Sequence, residues 1–538
     1  MSARPAISQV PPALALLDPG AWVGAREGPI APRVVELLET HISWVLRGER
    51  DVIKLKKPVS LGFLDFRTLE AREAACRAEV DLNRRLAPDV YRGVLPVFRR
   101  LDGSCSLEPG GAVVDWAVWM RRLPDEASFE HIAAAGDLGV ADVDRLAAHL
   151  ARFHARCDRT REIDAFGRAD VIARNVHENF EQTRGALERY LTQDEARELE
   201  AWQLAEVARL EPTFDLRVAH GRVRDGHGDL RLEHVYREGD ALTILDCIEF
   251  ADRFRFGDVC SDLAFLSMDL AWHGRVDLAE RLFASYAREA DDHDLYAVAD
   301  FYESYRAFVR GKIASFIASD PDASDAVRQR AGRDARRFFL LALSGPRRAL
   351  VGPTLTAVGG LIASGKSTVA ELVGERIGAP VIDADRTRKH MLGVDVQARV
   401  AEAAFQGAYD PGFTDRVYAE VLRRAAVVLA SGRSVVVDAS FRSRQNRARA
   451  RALAERAGVP FLFVECAAPP DVLRARLERR AATGDTVSDG REAIFDAFVA
   501  SFERVVELPH AQHVVWNTAH PHPEVEWAEH FPRWPRSC

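Results

Sequence analysis

Residues 41–57, HISWVLRGERDVIKLKK, hold two apolar-rich runs around a polar turn at Gly48. They predict a β-hairpin that Pro58 closes. The spacing of residues 68–86 predicts a helix, with Leu69, Ala75, Val80, Leu82 and Leu86 available for one buried face. Residues 112–123, AVVDWAVWMRRL, predict a strand running into a polar crossing, and 126–220 reads as mostly helical. A buried-type strand is expected at 241–250, ALTILDCIEF, and further helix over 260–343. A small β-rich part, a crossing strand and then helices is a bilobal plan.

The pattern changes at 344–353, SGPRRALVGP, where Gly345, Pro346, Gly352 and Pro353 punctuate the helix. Short apolar strands follow in TLTAVGGL, APVIDAD, SVVVDAS and PFLFVEC, separated by helical stretches. Strand–helix alternation predicts a parallel sheet. The expected organisation is an N-terminal extension at 1–34, a first domain at 35–343, a linker at 344–353, a second domain at 354–520 and a tail at 521–538. The Arg-rich stretch 440–458 reads as a solvated amphipathic helix, and no internal repeat is visible.

The chain has 538 residues, more than a single core usually serves. With 47% hydrophobic and 29% charged residues it has the balance of a globular protein. A net charge of -8 argues against a dedicated nucleic-acid binder. Seven scattered cysteines with no CxxC pair fit free thiols in a reducing compartment. Pro11, Pro12 and Asp18 interrupt the N-terminal apolar run, so neither a signal peptide nor a membrane span is expected, and the cytoplasm is the expected location. His510, His513, His520 and His522 fit no metal template.

Residues 360–367, GLIASGKS, satisfy G-x-x-x-x-G-K-[ST] between an apolar strand and a helix. In such a loop the backbone N–H groups of Gly360, Leu361, Ile362, Ala363, Ser364, Gly365, Lys366, Ser367 and Thr368 turn toward phosphate oxygens. Lys366 adds a charge, and Ser367 offers an oxygen to Mg2+. Asp383 and Asp385 end the next strand, where an acceptor hydroxyl fits, with Asp385 the catalytic candidate. Asp438 ends SVVVDAS, a place for a second acidic group near Mg2+. Arg476, Arg479 and Arg480 lie on a helix suited to a lid over phosphates, and Arg476 and Arg480 are the nucleotide-binding candidates. Residues 354–520 resemble the small P-loop kinases of metabolites, such as gluconate and shikimate kinases, and the zeta-toxin and polynucleotide-kinase types. That resemblance implies ATP-dependent phosphoryl transfer to a hydroxyl.

A second constellation lies upstream. Residues 227–236, HGDLRLEHVY, place Asp229 as a candidate base and His234 five residues later. Asp246 ends the run LTILD and suits a metal role. Lys54 and Lys56, two apart on one strand, share a face, so either reaches the α/β-phosphates. Glu79 on the next helix suits pairing with that lysine. The ordered set resembles the aminoglycoside phosphotransferase and choline kinase superfamily, whose loop reads HGDxxxxN. Both halves together, with KKPVSLGFLDFRTLE, LNRRLAP and HGDLRLEHV, resemble the bacterial bifunctional aminoglycoside phosphotransferase/ATP-binding proteins. The fold implied is an α+β bilobal protein-kinase-like domain followed by an α/β P-loop domain with a parallel sheet.

By that resemblance His227 is architectural, Asp229 is the base, Asp246 is a Mg2+ ligand and residues 115–123 form the adenine-side linker. His234 departs from the superfamily asparagine. It is a candidate metal ligand, an orienting partner of Asp229, or a mark of a nucleotide sensor, and Glu233 is an alternative oxygen donor. The fold does not fix the acceptor. Asp258, Asp262 and Asp269 would suit a polycation or a helix cap equally. The expected partner is a small-molecule hydroxyl compound. Two other readings are a regulatory protein whose N-terminal half senses a ligand, and a nucleic-acid end kinase with residues 442–456 as a phosphate track.

Overall fold

The computed structural model describes residues 11–22, 32–60, 64–321, 323–344, 352–398, 405–483 and 492–519. By contacts the chain divides into two compact units. One holds residues 1–138, 156–167 and 221–262, and the other holds 139–155, 168–220 and 263–538. The division does not fall at 344–353, and residues 345–351 of that stretch lie outside the described residues, as does the tail from 520 onward.

The first unit is built on a six-stranded antiparallel sheet. Its order is Glu36–Glu39, Ser43–Arg47, Asp51–Lys56, Ala112–Arg121, Tyr91–Arg99, Cys105–Ser106. The predicted hairpin is its second and third strands, with Lys54 opposite Val45 on one side and Val118 on the other. Strand alternation sends Ile53 and Leu55 into one apolar cluster with Trp22, Leu46 and Ala117. Lys54 and Lys56 face the other way, toward the helix Leu69–Asn83.

That helix is capped by the Thr68 hydroxyl, which accepts from the Ala71 N–H. Its buried face differs from the expected one: it is Arg72, Cys76, Glu79, Val80 and Asn83, while Leu69, Ala75 and Leu82 are only half-buried. The reason is that this face carries charges with partners: Arg72 meets Asp115 at 2.7 Å, and Glu79 meets both lysines. The strand 112–121 absorbs most of the expected linker 115–123, leaving only Arg122 and Leu123 before Pro124. The predicted strand at 241–250 is shorter, Ala241–Ile244, hairpinned with Val235–Glu238.

The second unit contains helices, among them Val276–Ala290, Ala299–Ser319 and Asp325–Leu343, and a five-stranded parallel sheet. The sheet order is Val381–Asp383, Val435–Asp438, Leu355–Gly360, Phe461–Ala467, His513–Asn517. Its last strand was hidden in a His- and Pro-bearing segment. Arg433, 4% exposed, reaches Glu280 at 2.7 Å and Asp300 at 2.9 Å on the helices. Arg424 grips Asp291 through both terminal nitrogens, and His390 meets the same carboxylate at 3.0 Å. The Arg-rich helix Arg444–Ala457 is not simply solvated. Arg447 is fully buried and bonded to Glu507, Arg449 meets Asp415, and Arg451 meets Glu455.

Six described cysteines are free and buried. No described helix is long and apolar enough to cross a membrane.

His293 is buried, and neither ring nitrogen has a hydrogen-bond partner among the described residues. Burial, and then the charge of Arg424, pushes it down to about 4. The unfolded chain therefore takes up a proton from about pH 6.5 downward that the folded chain resists. This part of the stability is complete above that pH and drains away as pH falls toward 4. In thermal melts at pH 7.5 and pH 5, His293→Phe is expected to lose several degrees less than the wild type across that interval. Equal losses would mean that this ring does not set the acid limb.

Candidate active sites

In the first unit the strand Val223–Asp225 pairs with Phe256–Asp258 and delivers the chain into the loop 226–234. Gly228 has φ +88, and an added Cβ would meet the Phe254 carbonyl at 2.7 Å, so the loop requires glycine there. Asp262 accepts from the backbone N–H groups of His227 at 2.8 Å and Gly228 at 2.9 Å. It is 4% exposed and clamps the loop, so it offers nothing to a polycation, and Asp258 is likewise buried, accepting from the Cys260 N–H. His227 is buried and neutral: Nε2–H donates to the Leu245 carbonyl at 2.8 Å, and Nδ1 faces the Asp229 N–H at 3.3 Å.

The expected cations and carboxylates converge here. The Lys54 Nζ lies 2.9 Å from Glu79 and 2.6 Å from Asp246. Burial opposes the charge on Lys54, but Asp246 and then Glu79 outweigh it and hold the lysine well above its ordinary range. Lys56 is fully buried between Glu79, at 2.5 Å, and Glu249. Of the two lysines, Lys54 is therefore the one open to a phosphate. Asp246 has φ 64, a left-handed conformation that a non-glycine residue seldom keeps without a functional reason. Burial opposes its ionisation, yet Lys54 and then His234 hold it well below the usual carboxylate range.

His234 is 7% exposed. Burial, and then the charge of Arg231, lower it to about 4, so the ring is neutral. Its Nδ1–H donates to the Asp229 carbonyl at 2.8 Å, which leaves Nε2 as the acceptor, 3.2 Å from Arg231 Nη2 and 3.8 Å from Asp246 Oδ2. The histidine thus orients the Asp229 backbone and presents a lone pair toward Asp246. Metal-binding imidazoles are fixed in the same way, through the other nitrogen on a carbonyl. Glu233 lies 3.8 Å from the same nitrogen and is paired with Arg231.

Arg231 was not anticipated from the sequence. Its Nη2 lies 3.0 Å, and its Nε 3.2 Å, from the Asp229 carboxylate. A cation two residues after the candidate base was the available signal. Imidazole suits softer metals than Mg2+. Mn2+ is therefore expected to support turnover here at least as well as Mg2+, and His234→Asn to raise the Mg2+/Mn2+ rate ratio several-fold. An unchanged ratio in initial-rate assays would confine His234 to positioning Asp229.

In the second unit, Gly360 ends the central strand with φ +147, and a Cβ there would lie 2.4 Å from the Cys466 carbonyl. The loop turns through Leu361, Ile362, Ala363 (φ 62), Ser364 and Gly365 (φ 83) into the helix Lys366–Ile377, which carries Ser367 and Thr368 on its first turn. The ends of the neighbouring strands bring Asp383 and Asp438 to the same edge. Asp383, with Asp385 two residues on, lines one cavity with Lys366 and Asp438. Burial, then Asp438 and Asp385, raise Asp383 to about 8. Asp438, 3% exposed, is also raised by burial, against the pull of Lys366 and of the nearby Ser367 hydroxyl.

Asp438 Oδ1 is buried without a hydrogen-bond partner among the described residues. A hard-oxygen set of Ser367 and Asp438 with one lone pair spare fits Mg2+, which takes one or two protein oxygens and completes its shell with water and phosphate. Among the described residues no group of three or more His, Cys, Asp or Glu forms a closed metal cluster. Arg476 stands at the loop, donating to the Ala363 carbonyl at 3.2 Å and to Thr518, whose hydroxyl donates to the Ser364 carbonyl at 2.7 Å. It braces the loop instead of standing free above it. The Arg480 side chain lies outside the described residues.

A kinase-like phosphotransferase fold followed by a P-loop kinase-like domain is the class these two sites define. A family described as an AAA domain matches residues 355–505. The uncharacterized protein Rv2004c of Mycobacterium tuberculosis is 34% identical over 449 residues, 83% of this chain and 86% of that protein. The chain belongs to the family of that mycobacterial protein. Among solved structures, a choline/ethanolamine kinase family protein from Mesorhizobium loti covers 59% of this chain and 92% of its own, at 14% identity and TM-score 0.30. A gluconokinase from Sinorhizobium meliloti covers 32% and 86%, at 23% identity and TM-score 0.23.

Proposed function

We propose that the protein is an ATP-dependent phosphotransferase with two nucleotide sites, each passing the γ-phosphoryl group of ATP to a hydroxyl of a small molecule. The observation that carries this reading is the meeting of Lys54 with both Glu79 and Asp246 in the first unit. Phosphoryl transfer needs a cation on the phosphates, an acidic metal ligand and a group that orients the acceptor. Lys54, Asp246 and Asp229 supply these in the first site. Lys366, Ser367 with Asp438, and Asp385 supply them in the second. Bound Mg2+ would neutralise developing phosphate charge in both. The residues themselves hold the phosphates, take the hydroxyl proton at Asp229 or Asp385, and keep the reacting oxygens aligned.

The test is transfer of labelled γ-phosphate to a pooled set of sugars, amino alcohols, hydroxy acids and nucleosides by the wild type, Asp246→Asn and Lys366→Met. Two active sites predict that each variant loses a different labelled product. A second reading has one specific support: Arg231 occupies the Asp229 carboxylate, as it would in a nucleotide sensor whose base is held back. If Asp246→Asn removes no product and only alters the rate at the P-loop site, the sensor reading replaces the first.

A further inference from the structure

The cavity beside Lys366 is lined by groups of both charges. The carboxylates are Asp383, Asp385 and Asp438. The cations besides Lys366 are Arg388 and Arg442, which reach it from the helix Ala384–Met391 and from the loop after the strand Val435–Asp438. The two arginines have no carboxylate partner among the described residues.

Arg388 is 5% exposed, and its Nη1 donates to the Ala408 carbonyl at 2.5 Å. Its Nε is buried with no hydrogen-bond partner among the described residues. The guanidinium lies 4.5 Å from the Tyr409 ring centre. Arg442 is half-buried and stacks 4.2 Å from Phe405 and 5.6 Å from Phe498. Its Nη1 donates to the Ser501 hydroxyl at 3.3 Å. Burial, and then the like charge of Arg388, depress Arg442 below the usual arginine range, so the two guanidinium groups feel each other.

A protein keeps two desolvated cations facing each other at a cost, unless an anion joins them. Aromatic faces hold the guanidinium planes in place and leave their edges for oxygens. Neither arginine lies on the phosphate loop, whose own cation is Lys366. The anion that belongs here is thus part of the acceptor.

We propose that the P-loop site phosphorylates an anionic alcohol, whose compact oxyanion (carboxylate or phosphate ester) docks on Arg388 and Arg442 while its hydroxyl lies at Asp385 beside Lys366. This deepens the phosphotransferase reading and rests on it. Polycations and neutral sugars are excluded as preferred acceptors of this site. The proton leaves the hydroxyl for Asp385 as the oxygen attacks the γ-phosphorus, and ADP departs with the bridging oxygen.

The test uses the full chain carrying Asp246→Asn, which silences the first site, with Mg2+ and a non-hydrolysable ATP analogue filling the P-loop. Glucose, glucosamine, gluconate and glucose 6-phosphate share a skeleton and differ in charge, and each is titrated by calorimetry. At least one anion is expected to bind roughly tenfold to a hundredfold tighter than glucose or glucosamine, the worth of charge-assisted pairing. Gluconate alone would identify a carboxylate site, and glucose 6-phosphate alone a phosphate site. The advantage should vanish in Arg442→Gln and in Arg388→Met, and persist in Arg444→Gln, whose side chain is largely exposed. Because Arg388 is buried, Arg442→Gln carries the result if Arg388→Met does not fold. Four equal affinities, no binding of either anion, a preference for glucosamine, or an advantage that survives Arg442→Gln would each overturn the proposal. Failure of the analogue itself to bind in a Lys366-dependent way would instead sink the kinase reading of this site.

Discussion

Asp246→Asn is expected to lower turnover at the first site on the order of 10^3-fold while the chain stays folded. The carboxylate there pairs with Lys54 and, in the proposed function, would hold Mg2+. Losing a metal's charge stabilisation removes several kcal/mol from the transition state, and about 4 kcal/mol is near three powers of ten. Asparagine tolerates the left-handed backbone that Asp246 adopts, so the substitution removes charge without straining the loop. Lys54 keeps Glu79 and is not left buried alone. Single-turnover measurements separate the effects: the chemical step should slow far more than nucleotide affinity falls. A loss below tenfold would mean that Asp246 is a structural anchor of Lys54 and nothing more.

Arg433→Met is expected to destabilise the second unit by roughly 3–5 kcal/mol, because it leaves Glu280 buried without its cation and Asp300 without its nearest one. Burial opposes the charge on Arg433, but Asp300 and Glu280 hold it well above the ordinary arginine range, so the side chain is ionised at every accessible pH. In thermal melts at neutral pH the midpoint should fall by roughly 5–10 °C. Adding Glu280→Met should recover most of the loss, since a buried pair replaced as a pair costs little. No recovery would mean that packing against Tyr296, 5.6 Å from the guanidinium, is the larger contribution.

The shapes of both candidate phosphate-handling loops were legible in the sequence because each needs particular residues at particular backbone angles. Gly228, Gly360 and Gly365 all sit at positive φ, and the lysine, serine and aspartates follow at fixed offsets. The parallel sheet was legible from four apolar runs. The inner face of the helix Leu69–Asn83 was not, because a hydrophobic pattern cannot reveal a face buried through Arg72 and Glu79. For Asp262 a polycation site and a helix cap stayed equal readings, because the N–H groups it accepts from, on His227 and Gly228, lie in a loop some 35 residues upstream. Arg388 and Arg442 gave no signal, since what makes them a pair is the strand order of a sheet that places their segments at one cavity. The stretch 440–458 read as a surface helix for a similar reason: the burial of Arg447 depends on Glu507, sixty residues away.

The stretch 344–353 separates the two candidate sites along the sequence, and it is not where the ion pairs divide. Arg433, Arg424 and Arg423 follow it, while Glu280, Asp300, Asp291 and Asp294 precede it. A chain cut at Thr354 would leave those guanidinium groups on one piece and their counterions on the other. The place where the sequence changes character is therefore not a place where the protein divides without stranding charge.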